Sequence, residues 1–282
     1  VLVAGYESPI VRELASKSFA PVASFGITAD APMGEHAARP GTTAVITPTG
    51  SAAATVAPAT LQWAARDVEY GVATTRFTVE HAGTPWGQVE TPLAGAYNVR
   101  NCLAAIAAAH AMGADPEKVR EAMRSFRSVR RRMELKGEVG GVTVIDDFAH
   151  HPTAVQETLQ AARQRYGGRR LVAVFEPRSY TAQRREFQEP YTRALAFADE
   201  IVLGGLYHPE RYTKETALDP DMVIAALRAT GRTASYIPDV DAIVRQLAAT
   251  TQPGDVVVIM SNGGFGGIHG KLLKSLNSVE RR

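Results

Sequence analysis

Between Val142 and Met260 the chain repeats one pattern: a short apolar, mostly β-branched run, a polar or glycine-rich loop, then a stretch with helical spacing. The strand candidates are Val142–Asp146, Arg170–Phe175, Glu200–Leu203, Ala234–Ile237 and Val256–Met260. Between and after them lie helix candidates at Ala154–Arg165, Tyr191–Ala198, Pro220–Thr230, Asp239–Thr250 and Gly266–Leu276. Strands that are apolar on both sides must be covered on both faces, and parallel strands need crossover helices to do it. The pattern predicts an α/β fold, a doubly wound and mostly parallel sheet of ordinary domain size.

The front of the chain is organised differently. Val1–Gly5, Pro9–Ser16 and Pro21–Phe25 read as strand, helix, strand. Residues 28–60, rich in Ala, Thr, Pro and Gly, read as a flexible surface insertion without chemistry. Alternating strands are expected at Ala65–Tyr70, Thr75–Glu80 and Gly87–Glu90, then helices at Cys102–Met112 and Pro116–Ser125. The basic stretch Ser128–Arg132 marks the expected boundary between a domain at 1–130 and one at 131–282. Val1-Leu-Val-Ala-Gly5 reads as a strand already under way, as in a piece of a longer protein.

With 45% hydrophobic residues the chain can bury a substantial core. A formal charge of +2, with no basic run interleaved with aromatics, speaks against nucleic acid as a partner. No apolar run reaches membrane-spanning length, so no membrane partner is expected. One cysteine, Cys102, rules out an internal disulfide and fits a reducing, cytoplasmic compartment.

Chemistry is expected where the strands end, because open α/β sheets bind ligands beyond the carboxyl ends of their strands. The first such loop holds Asp146, Asp147, His150 and His151 ahead of Pro152. It reads either as functional or as ordinary hydrogen-bonded surface; it lacks the further ligand a metal site wants, so no metal is expected on it. The loop Glu176-Pro-Arg-Ser-Tyr-Thr181 follows the second strand, and Gly204-Gly-Leu-Tyr-His-Pro209 the third. Ser261-Asn-Gly-Gly-Phe-Gly-Gly-Ile-His269 nearly matches two phosphate-binding patterns, yet its spacing and His269 break both. It reads as a backbone-donor loop for an anionic group or as a tight strand-to-helix turn. Asn98 and Asn101, at the expected mouth of a helix, either cap it or read an adenine edge.

Asp146-Asp-Phe-Ala-His-His-Pro-Thr153, Phe175-Glu-Pro-Arg-Ser179 and Met260-Ser-Asn-Gly-Gly-Phe-Gly-Gly-Ile-His269 resemble motifs of the Mur ligase family, and within it the murein peptide ligases. The resemblance implies the back part of a central ATPase domain at 1–130 and a complete Rossmann-like C-terminal domain at 131–282. It implies ATP-dependent ligation of UDP-N-acetylmuramate to a murein tripeptide, L-alanyl-γ-D-glutamyl-meso-diaminopimelate, in peptidoglycan recycling. The family's phosphate loop and Mg2+ ligands would precede Val1, leaving the chain inactive alone. Asn98 and Asn101 correspond to the adenine-contacting segment, Arg132 to the arginine on nucleotide phosphate and Asp147 to the acid on the ribose. His150 and His151 would serve catalysis, His150 beside the incoming amine. Arg178, Ser179, Thr181, Ser261, Asn262, Gly263, Gly264 and His269 would contact the acceptor. In alanine-adding relatives two arginines grip the alanine carboxylate; Ser179 and Ala182 stand at those positions here, which favours a peptide acceptor. The alternatives are the alanine-adding ligase, a non-catalytic nucleotide or muropeptide binder, and a metal phosphoesterase using Asp146, Asp147, His150 and His151.

Overall fold

The computed structural model describes residues 1–28 and 61–280, so the expected insertion lies almost wholly outside the described residues. The chain divides into two units, Val1–Ser128 and Val129–Arg282, two residues ahead of the boundary read from the basic stretch.

The first unit is a five-stranded sheet in the order β1 (Leu2–Gly5), β2 (Val22–Ile27), β3 (Trp63–Tyr70), β4 (Thr75–His81), β5 (Thr84–Thr91). The first three strands are parallel and the last two return as antiparallel hairpins. Helix α1 (Pro9–Ser16) follows β1; α2 (Ala96–Ala111) and α3 (Pro116–Ser125) follow β5. Ser8 and Asp115 cap α1 and α3 through their side chains, each with Pro at the first helical position. The core gathers Trp63, Phe77, Val79 and Val89 from the sheet against Val99, Leu103 and Ile106 of α2.

Helix α2 begins six residues before the expected Cys102, so Asn98 and Asn101 sit inside its first two turns and not at its mouth. Gly95, at φ 89°, turns the chain into this helix without a side-chain cap. Asn98 Nδ2 donates instead to the carbonyl of Ala94, 2.7 Å away.

The second unit carries a six-stranded sheet built from β6 (Glu134–Val139), β7 (Val142–Asp147), β8 (Leu171–Phe175), β9 (Glu200–Gly204), β10 (Thr233–Ile237) and β11 (Val256–Met260). Their order is β10-β9-β8-β11-β7-β6, parallel throughout except β6. Steps from β7 through β8 and β9 to β10 run one way and place α4 (Pro152–Tyr166), α5 (Gln188–Leu195) and α6 (Pro220–Ala229) on one face. The step from β10 to β11 reverses, so α7 (Val240–Thr250) crosses on the other face, as a right-handed crossover requires, and α8 (Ile268–Glu280) packs beside it there. Alternation along each strand feeds the two cores: Leu171, Ala173 and Phe175 pack on the first face, Val172 and Val174 on the second.

The sheet is mostly parallel, as expected, but β6 was not read from the sequence. It is a half-exposed edge strand of sequence Glu-Leu-Lys-Gly-Glu-Val, paired with β7 across Gly140 and Gly141, both at positive φ. Its charges suit an edge and erase the apolar signal that reveals a covered strand.

Candidate functional site

The reversal of strand order at β11 sends the loops after β7 and β8 to one face and the loop after β11 to the other, the place where open α/β sheets bind their ligands. Register makes those ends level: Met260 pairs with Asp147 on one side and with Phe175 on the other. Three of the expected loops therefore start side by side.

The two adjacent acids of the first loop are used in opposite ways. Asp147 is 1% exposed and faces inward. It accepts from Met133 N at 2.7 Å, Ala149 N at 2.8 Å and Thr158 Oγ1 at 3.1 Å. Burial raises its pKa above the ordinary carboxylate value, against the pull of these donors and of Arg132. A carboxylate so engaged pins the chain beside Arg132. Asp146 instead meets the Arg131 guanidinium, Nε at 3.3 Å, and the His269 ring, Nε2 at 3.2 Å. Burial opposes its charge, but His269 and Arg131 prevail and hold its pKa below the ordinary value. The His269 contact has the closeness of an ion pair without hydrogen-bond alignment, so that imidazole faces Asp146.

The histidines of this loop diverge. His150 is half-buried, its Nδ1 2.9 Å from the Phe148 carbonyl, which leaves Nε2 as the ring's second nitrogen. His151 is exposed at the N-cap of α4 and packs edge-on against Phe187. Asp146, Asp147, His150 and His151 thus do not converge, and no group of three or more His, Cys, Asp or Glu suited to a metal occurs among the described residues.

Arg178 lies with its guanidinium 3.7 Å above the Tyr207 ring, which brings in the loop after β9. Its nearest counter-charge is Glu176 Oε1 at 3.8 Å, and Glu176 is also bound by the Ser261 hydroxyl. Ser261 in turn accepts from Gly263 N at 2.9 Å, which folds the glycine loop back on itself. Gly263 is required by packing: a Cβ there would sit 2.3 Å from Arg178 Cδ and Nε. Asn262 Oδ1 is buried without a hydrogen-bond partner, and Gly264 borders open space. Ser179 is half-buried and Thr181 exposed, their hydroxyls 3.2 Å apart, whereas Ala182 is wholly buried in the core.

Arg131, unnamed among the expected site residues, is the most connected group of the rim. Its Nη2 donates to the Ser261 carbonyl and to the Gly263 carbonyl, the latter at 2.9 Å, while its Nε meets Asp146. It also stacks over Phe148, with Arg132 further out over the same ring. Nothing but its place in the Arg130–Arg132 cluster marked it in the sequence. Glu176 and Tyr207 were likewise visible only as members of loops, because their contacts join segments far apart in the chain.

Asn98 and Asn101 belong to the first unit, where Asn101 is exposed and donates to Asn98 Oδ1 at 3.2 Å. The other site candidates all belong to the second.

Comparison with known proteins adds the family. Residues 131–263 match the family model described as Mur ligase, glutamate ligase domain. The UDP-N-acetylmuramate–L-alanyl-γ-D-glutamyl-meso-2,6-diaminoheptandioate ligase of Escherichia coli K12 is 43% identical over 195 residues, covering 69% of this chain and 40% of its own. The UDP-N-acetylmuramate–L-alanine ligase of Salinibacter ruber is 38% identical over 190 residues, covering 67% and 40% respectively. The crystal structure of a murein peptide ligase from Psychrobacter arcticus superposes with a TM-score of 0.59 at 28% identity, over 95% of this chain and 49% of that one. The chain thus spans about 40% of the length of these curated relatives. A doubly wound second unit with its polar loops gathered at the strand reversal, and the family match over residues 131–263, establish that this unit carries the C-terminal domain of the Mur ligase family.

Proposed function

We propose that this chain is the acceptor-handling part of an ATP-dependent ligase that joins UDP-N-acetylmuramate to L-alanyl-γ-D-glutamyl-meso-diaminopimelate in peptidoglycan recycling. One observation carries the choice of acceptor: Arg178 is laid on Tyr207 while Ala182, where an alanine-gripping arginine would stand, is buried. A stacked guanidinium keeps its plane and its N–H donors for a carboxylate, and Arg178 spends no side-chain hydrogen bond on the described protein. Ser179, half-buried, and Thr181, exposed, extend the surface outward along a longer acceptor. The buried, unpartnered Asn262 Oδ1 suits an N–H donor such as the acceptor's amine.

In this reading Asn101, steadied by Asn98, reads the adenine and Arg132 meets nucleotide phosphate. The muramyl carboxylate takes the γ-phosphoryl group of ATP, giving an acyl phosphate and ADP. The peptide amine then attacks the acyl carbon, a C–N bond forms, phosphate leaves and the amine's proton passes to His150 Nε2. Positioning carries most of the rate, and His269, held against Asp146, belongs to the same rim. Magnesium, which the family's chemistry implies, neutralises phosphate charge when bound; the described residues offer no cluster to hold it, and we assign it no ligand here. A cytoplasmic location belongs to the same proposal; among the described residues no helix is long and apolar enough to cross a membrane.

The test uses the complete protein that carries this chain, with ATP, Mg2+ and UDP-N-acetylmuramate. Phosphate release should depend on the tripeptide and stay at background with L-alanine. Release driven equally by L-alanine would move the assignment to the alanine-adding ligase, and none with either would leave a binding module.

A further inference from the structure

Arg131 sits at φ 61°, in the left-handed region that favours glycine, and Met133 two residues on sits at φ 48°. A bulky side chain kept at such a position needs a reason, and the contacts of Arg131 supply one. Its guanidinium gathers the Ser261 and Gly263 carbonyls and the Asp146 carboxylate, drawn from the loop after β11 and from the end of β7. Its backbone is fixed as well: Arg131 N donates to Glu134 Oε2 at 2.8 Å, and its carbonyl accepts from Phe148 N at 2.8 Å. Met133 N is held by Asp147. Arg132 therefore stands between two pinned left-handed residues, one tied to the glycine loop and the other to the floor of the rim.

We propose that Arg131 is a positioning residue that sets the conformation of the loop Ser261–Gly264 and couples that loop to whatever engages Arg132. The assignment of the loop to an acceptor rests on the function proposed above; the coupling itself does not. Two carbonyls and a carboxylate bound by one planar fork fix the loop's orientation, and a single ammonium cannot reproduce that arrangement. With its carbonyls turned to Arg131 and Gly263 N turned to Ser261, the loop holds Asn262 and Arg178 in the places described. A charge arriving at Arg132 bears on the same short segment, so its effect reaches the loop through Arg131 without a domain movement.

Arg131→Gly separates this role from general stability, because glycine relieves the backbone while removing the fork. Amide hydrogen exchange of this chain should show the amides of residues 262–267 exchanging at least tenfold faster in Arg131→Gly, with Leu171–Phe175 and the melting temperature unchanged. Arg131→Lys, which keeps one donor group, should fall between the two. Unchanged exchange in the loop, or loosening of Leu171–Phe175 to the same extent, would overturn the proposal. A second arm titrates the same proteins with L-alanyl-γ-D-glutamyl-meso-diaminopimelate. Weaker binding in Arg131→Gly than in the parent chain supports the loop's acceptor role. Faster loop exchange with no binding even to the parent chain keeps Arg131 as the loop's anchor and removes the acceptor assignment.

Discussion

Gly263 and Gly264 are neighbours with opposite constraints. A methyl at Gly263 would meet Arg178 at 2.3 Å, while one at Gly264 meets nothing within 4 Å. Gly263→Ala should push Arg178 off the Tyr207 face and weaken tripeptide binding about tenfold, or ~1.4 kcal/mol, whereas Gly264→Ala should bind as the parent does. Equal affinities for the two variants in calorimetric titration would remove Arg178 from the acceptor site. The adjacent acids make a second contrast. Asp147→Asn puts an amide donor among three donors, at Met133, Ala149 and Thr158, and should cost about 2–4 kcal/mol in denaturant unfolding of the second unit. An unchanged midpoint would mean that Asp147 is not the internal pin described. In the sequence these acids are indistinguishable, because only the strand's final register decides which side chain turns inward and which meets Arg131 and His269.

The elements legible in advance were those whose periodicity the core enforces. Strand β11 and helices α1 and α3 lie at the residues expected, the strand because five consecutive buried positions leave one reading, the helices because proline and a polar cap mark their starts. Strand β6 and the first turns of α2 were missed for the complementary reason: charges hide the edge strand, and Gly95 begins α2 with no capping side chain. At the end of β4, His81 stacks on Trp63 with ring centroids 4.0 Å apart, and lies 4.8 Å from the ring of His110 on α2. Burial first, and His110 second, lower its pKa below the ordinary 6.5. The unfolded chain then takes the proton before the folded unit does. The stability this gives is full above pH 6.5 and is lost as pH falls through the lowered value. The first unit should therefore melt at a lower temperature at pH 5.5 than at pH 7.5, and His81→Phe should flatten that dependence. The same slope in both proteins would refute it.

For the molecule as a whole, the order β10-β9-β8-β11-β7-β6 makes one rim the candidate place for chemistry, since ligands of open α/β sheets bind where the strand order reverses, here at the ends of β7, β11 and β8. The location of the candidate site was legible because its loops interrupt apolar strands. Its internal wiring was not, because Arg131, Glu176 and Tyr207 act through partners distant in sequence. In the function proposed, this rim receives a peptide acceptor. Calorimetric titration of the chain with L-alanyl-γ-D-glutamyl-meso-diaminopimelate, beside free L-alanine, decides the point. Saturable heat is expected from the tripeptide, lost in Arg178→Ala, and none from alanine. Saturable binding of alanine at the same site, or tripeptide binding indifferent to Arg178, would contradict it.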